Sequence, residues 1–123
     1  MKYLLLMATM LLMFGAANAQ IGEVKVERGY AMIYNEEGKF TQKSIRLDKT
    51  DVLDGYNSKY IVISKGSHAW IYDHTGKFTQ NSISLSGGAY IKNVTNTAIL
   101  LVKGGYTMYY DFQGKYTQKS TRN

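Results

Sequence analysis

One block of the chain is written three times at a fixed spacing of 38 residues. Tyr30–Leu47, His68–Leu85 and Tyr106–Asn123 align without a gap. Six positions are identical in all three copies: Tyr34/Tyr72/Tyr110, Gly38/Gly76/Gly114, Lys39/Lys77/Lys115, Thr41/Thr79/Thr117, Gln42/Gln80/Gln118 and Ser44/Ser82/Ser120. This recurrence limits the fold more than any other feature. A unit of about 40 residues cannot bury its own apolar face and must stack on its neighbours to make a core.

The units read as strands. Lys59–Ser64 (KYIVIS) is rich in β-branched residues, and its counterpart Thr97–Val102 (TAILLV) is almost wholly apolar. Such runs suit strands covered on both faces. The first copy, Glu23–Val26, alternates polar with apolar and reads as half exposed. Turn residues follow (Lys65-Gly66-Ser67, Lys103-Gly104-Gly105), and then an aromatic strand: YAMIYN, HAWIYD or YTMYYD. In the second copy His68, Trp70 and Tyr72 share one face while Ala69 and Ile71 share the other, the pattern of a strand between two layers. A further strand leaves the next turn at Phe40–Leu47 or Phe78–Leu85. A weaker one lies at Val52–Tyr56 and Tyr90–Val94, and its first counterpart falls at Phe14–Asn18, inside the leader described below. The expected count is three strands, then four, then four.

The phrase joining the last two strands of each copy has a turn chemistry. In Asp73-His74-Thr75-Gly76 the carboxylate can accept from the backbone ahead of it, and glycine sits where φ turns positive. Asn35 and Gly38, then Asp111 and Gly114, repeat these roles. The "Tyr-Asp-x-x-Gly-Lys" ending resembles the hairpins of tyrosine-aspartate repeats in large secreted toxins. It is also similar to those of tryptophan-glycine repeats. The likeness is one of turn chemistry and carries no functional residue across. The fold expected is all-β: an antiparallel meander of three repeats, each like a propeller blade, with a β-trefoil as the alternative. Propellers close with ~4–8 blades, so three incomplete blades imply either a homodimeric ring or an open arc.

The first residues, MKYLLLMATMLLMFGAANAQ, give an address. Lys2, an uncharged run from Leu4 to Phe14 and Ala17-Asn18-Ala19 form the layout of a secretory signal peptide cut after Ala19. The run falls short of the ~20 apolar residues of a membrane span. Residues 20–123 then form one β-repeat domain, its repeats at 20–47 (incomplete), 48–85 and 86–123. There is no cysteine, so no disulfide staples the domain. An exported chain without one fits a bacterial periplasmic or secreted setting. Removing Lys2 leaves 14 Lys+Arg against 9 Asp+Glu, a net charge of +5. The basic residues are spread rather than clustered, which argues against nucleic acid as a partner.

Candidate chemistry is sparse. His68 and His74 have no copies in the other units, and neither G-x-S-x-G nor H-E-x-x-H occurs. No catalytic residue, cofactor or metal site is assigned. Asp48, Asp51 and Asp54 hint at Ca²⁺, but the spacing is wrong for an EF-hand loop and reads as an Asp-rich turn. What remains is the recurring polar set beside the aromatic residues: Lys39, Gln42, Lys77, Gln80, Lys115 and Gln118, with Trp70 and Tyr72 as stacking surfaces. The expectation is an exported, non-enzymatic module that binds a glycan, polymer or protein of the envelope or exterior. The alternative is a structural protein, a homo-oligomer assembled through strand edges.

Overall fold

The computed structural model describes residues 20–123; the leader read as a signal peptide lies outside them. Eleven strands form three antiparallel sheets, one per repeat. The first sheet holds β1 (Ile21–Glu27), β2 (Tyr30–Asn35) and β3 (Phe40–Arg46). The second holds β4 (Val52–Tyr56), β5 (Tyr60–Lys65), β6 (His68–Asp73) and β7 (Phe78–Ser84). The third holds β8 (Tyr90–Val94), β9 (Ile99–Lys103), β10 (Tyr106–Tyr110) and β11 (Tyr116–Arg122). Within each sheet the strands run in chain order. Each repeat keeps its ladder to itself. Among the described residues no helix is long and apolar enough to cross a membrane.

The hairpin turns follow from their residues. Asp73 Oδ1 accepts from the amides of Thr75 (2.8 Å) and Lys77 (3.1 Å), and the Gly76 amide donates to the Asp73 carbonyl. Asn35 and Asp111 repeat the arrangement, and each turn glycine has φ near +80°.

Alternation along β6 divides the interior into two cores. Tyr72, with Ile61 and Ile63 of β5, faces the first sheet and meets Val24, Ala31, Ile33 and Ile45. Ala69 and Ile71, with Val62 and Ile83, face the third sheet and meet Val94, Ile99 and Leu101. The middle sheet is thus covered on both sides, which is why its β5 reads as a continuous apolar run. The second and third sheets come close at β4 and β8. A Cβ added to Gly55 of β4 would lie 2.9 Å from Val94 of β8.

The second and third turns also dock on the preceding sheet. A Cβ at Gly76 would meet Ile33 at 3.3 Å and the Ser44 carbonyl at 3.4 Å, and one at Gly114 would reach the Ser82 carbonyl at 2.7 Å. Gly38, in the first repeat, has nothing within 4 Å. The recurrent Gly…Ser spacing therefore carries a packing role between repeats as well as a turn.

The two ends of the stack are polar where the interior is apolar. Positions held by Ile61/Ile63 and Ile99/Leu101 are Glu23 and Lys25 in the first sheet. Lys25 lies near Glu23 and over the Tyr34 ring. Positions held by Ala31/Ala69 and Ile45/Ile83 become Thr107 and Thr121 in the third. Thr107 spends its hydroxyl on Asn123, and Lys119 covers the Tyr109 ring at 4.4 Å. Polar outer faces of this kind terminate stacked repeats.

Candidate functional site

The Lys-x-Thr-Gln-x-Ser remainder of each repeat opens the last strand of its sheet. There the ladder slips: Ile33 pairs with Lys43 but Tyr34 with Phe40, and the same slip recurs at Ile71/Tyr72 and Tyr109/Tyr110. Threonine and glutamine form the bulge. The Thr41, Thr79 and Thr117 hydroxyls each donate to the carbonyl of Ile33, Ile71 and Tyr109, all at 2.8 Å. In the first two copies the threonine oxygen also accepts from the amide two residues on. One side chain thus satisfies backbone groups that the bulge takes out of the ladder. This is the backbone reason for the recurring threonine. Strand propensity gives no sign of it, because threonine fits a regular strand equally well.

The glutamine is different. Gln42, Gln80 and Gln118 hold φ of 65°, 71° and 71°. Left-handed backbone costs an L-residue roughly 1–2 kcal/mol, and glycine is the residue that occupies it without strain. Yet glutamine stands there three times, its side chain exposed in every copy. The other non-glycine residue with positive φ among the described residues is Arg28, in the tight turn before β2. Backbone held in a sparsely populated region points toward a use for the side chain placed there.

Lys39, Lys77 and Lys115 belong to the same rim. Their amides donate to Asn35, Asp73 and Asp111, while their side chains are exposed. Lys39 meets Glu37 at 3.9 Å on an open surface, an ion pair of little energetic weight. Between lysine and threonine sit Phe40, Phe78 and Tyr116, each tilted against the tyrosine across the ladder at 5.6–5.8 Å. Phe40 is 41% exposed. Each repeat therefore presents a lysine, an aromatic edge and a strained glutamine within four residues.

The structure corrects one of the two stacking residues. Tyr72 is 7% exposed and belongs to the core between the first and second sheets. Trp70 is half-buried beside that core, stacked on Phe78 at 4.5 Å and met by the Lys65 ammonium 5.9 Å from its ring centre. Both sit on the face toward the first sheet; the buried Tyr72 ring is closed to a stacking ligand, and Trp70 keeps part of its surface exposed. Phe40, beside Gln42, is more exposed than either.

The aspartates of the middle repeat serve that repeat. Asp51 pairs with Lys65 and accepts from the Asp48 amide. Burial pushes the Asp51 carboxyl up, but the Lys65 bond and the Asp48 amide outweigh it and hold the carboxyl below its usual range. Asp54 accepts from the Ser64 hydroxyl. Burial there prevails over that bond, and the carboxyl is raised to about 6. No three carboxylate, imidazole or thiol groups gather into a metal-holding cluster among the described residues. His68 and His74 are exposed.

The raised Asp54 carboxyl has a consequence for stability. Between 3.8 and about 6 the folded state binds the proton more tightly than the unfolded chain. Stability contributed by Asp54 therefore declines as pH rises through that window. Asp54→Asn is expected to raise the melting temperature by a few degrees at pH 8 and hardly at all at pH 4. Thermal unfolding followed against pH checks it; an equal effect at both pH values contradicts the assignment.

Comparison with protein-family models, with curated proteins and with solved structures returns no match.

Proposed function

We propose that the chain is an exported, non-enzymatic binding module that presents one recognition element per repeat to a glycan polymer of the bacterial envelope or exterior. The carrying observation is the glutamine held three times at positive φ with its amide in solvent. A carboxamide donates and accepts at once, which suits sugar hydroxyls. Three equivalent weak sites in one chain gain by acting on one polymer, where the second and third contacts form at high effective concentration. A lysine beside each glutamine and a net charge of +5 past the leader add a pull toward anionic polymers. The arrangement behind these elements is an open arc of three blade-like sheets, since burying Glu23 and Lys25 against a further sheet would strip two charges of water.

The test is co-sedimentation of the protein with envelope polysaccharide, wild type against the triple variant Gln42→Gly/Gln80→Gly/Gln118→Gly. Glycine keeps the bulge and removes only the amides. Affinity is expected to fall about tenfold or more with folding intact, and single variants lose less. Unchanged binding by a folded triple variant contradicts the reading. Intact mass of the recovered protein reports the export half: a chain beginning at Gln20 is expected.

A further inference from the structure

Among the described residues β1 is an edge strand with the build of an interior one, open beyond the Ile21 amide, which donates to the Ser58 carbonyl. In the second and third sheets the equivalent strands, β5 and β9, are covered on that side by β4 and β8. Among the described residues the first sheet has three strands, and β1 is its edge. The other edges are broken. In β4 and β8 the ladder slips at mid-strand, leaving two residues on either side. In β3, β7 and β11 the Thr-Gln bulge interrupts the strand, and β3 and β11 carry only positive charges after it (Lys43 and Arg46, Lys119 and Arg122). Bulges and like charges are how sheets discourage edge pairing. The β1 irregularity is confined to its start, between Ile21 and Glu23, and Glu23–Glu27 runs unbroken.

The phase of the ladder says which groups are open. Arg28 and Gly29, both at positive φ, form a two-residue loop that closes on the Glu27/Tyr30 pair. In such a hairpin the flanking pair exchanges hydrogen bonds, and alternate residues do so along the strand. Glu27, Lys25 and Glu23 therefore direct their backbone groups to β2. Val24 and Val26 direct theirs outward, and Val26 is 53% exposed.

We propose that this edge pairs with β1 of a second copy, antiparallel across a two-fold axis, making one continuous six-stranded sheet from two first sheets. The sequence Glu23-Val24-Lys25-Val26-Glu27 is self-complementary for this purpose. With the axis at Val24, Glu23 of each copy opposes Lys25 of the other. With the axis at Val26, Lys25 opposes Glu27. Registers centred on Glu23, Lys25 or Glu27 set like charges against each other, and the charge pattern disfavours them. An isologous contact of this kind closes at two copies and does not propagate. It is independent of the rim reading: the glutamine variants leave it untouched.

Sedimentation equilibrium of protein expressed from the full sequence tests it, with amide exchange as a second readout on the unaltered chain. The wild type is expected to show a monomer–dimer equilibrium, with Val24 and Val26 amides gaining protection as concentration rises. Lys25→Glu, and separately Glu23→Lys/Glu27→Lys, place like charges across every register. Each is expected to weaken the dimer about tenfold or more, and a 1:1 mixture of the two is expected to restore it. A wild type that stays monomeric at high concentration overturns the proposal. So does a dimer indifferent to these exchanges, protection that rises elsewhere than β1, or a different polypeptide recovered on that edge.

Discussion

Gly114→Ala is expected to destabilise the protein by about 3 kcal/mol or more, whereas Gly38→Ala, at the same place in the repeat, costs about 1–2 kcal/mol. The two glycines have nearly the same φ, +80° and +79°, so the conformational penalty of a Cβ is shared. They differ in what the new methyl meets. At Gly38 it points into open space. At Gly114 it lies 2.7 Å from the Ser82 carbonyl, with more Ser82 backbone close behind. Backbone cannot swing aside as a long side chain would, so the third sheet must retreat from the second. The core between them, built on Val62, Ile71, Ile99 and Leu101, loosens with it. Chemical denaturation of the two single variants checks this. Equal losses would mean that the turns do not dock the repeats together.

Lys65→Met is expected to remove about 3 kcal/mol and to flatten the local response to pH. The Asp51 side chain is 4% exposed and that of Lys65 21%. Deleting one partner of a buried pair leaves the other charged without compensation, which is worth more than the pair itself. In the wild type the Asp51 carboxyl sits below its usual range. Its contribution is then present above 3.8 and lost as pH falls through the lowered folded value. Without Lys65 only the Asp48 amide opposes the raising effect of burial, so the folded value rises toward the ordinary one and the loss of stability at low pH shrinks. Asp51→Leu combined with Lys65→Met is expected to recover most of the loss, because no charge remains buried. Unfolding free energies of the wild type, single and double variants across pH 3 to 8 measure all of this. A single variant that keeps the wild-type pH slope would contradict it.

Much of the fold was legible in the chain because its determinants are local. Val52–Tyr56 and Tyr90–Val94 are strands with the bounds that repeat arithmetic assigns them, and β2 and β6 match as well. The bends at Asn35, Asp73 and Asp111 follow from an acceptor side chain two residues before a free amide. The opposed faces of β6 follow from alternation. What was not legible depends on partners distant in sequence. Gly38 and Gly114 look identical until one asks which sheet lies beneath each. Tyr72 looks like a binding aromatic until the first sheet is laid over it. The bulge at Thr-Gln is a property of register, and register appears only when two strands are aligned. Glutamine is not a residue that marks left-handed backbone, so nothing in composition flags Gln42, Gln80 or Gln118. The edge position of β1 was legible: its alternation reads as half exposed, and repeat arithmetic puts the counterpart of β4 and β8 at Phe14–Asn18, so three strands are expected among the described residues of the first repeat.

The central claim is that the rim glutamines are kept for their side chains and against the preference of the backbone. Thermal and chemical unfolding of Gln80→Gly tests this most directly. Glycine loses about 0.5–1 kcal/mol to its freer unfolded chain and regains roughly 1–2 kcal/mol of relieved strain. Gln80→Gly is expected to be as stable as the wild type or more so, by up to about 1.5 kcal/mol. A clear loss of stability would mean that the glutamine side chain holds the bulge together, and the rim would then have no claim to be a binding site.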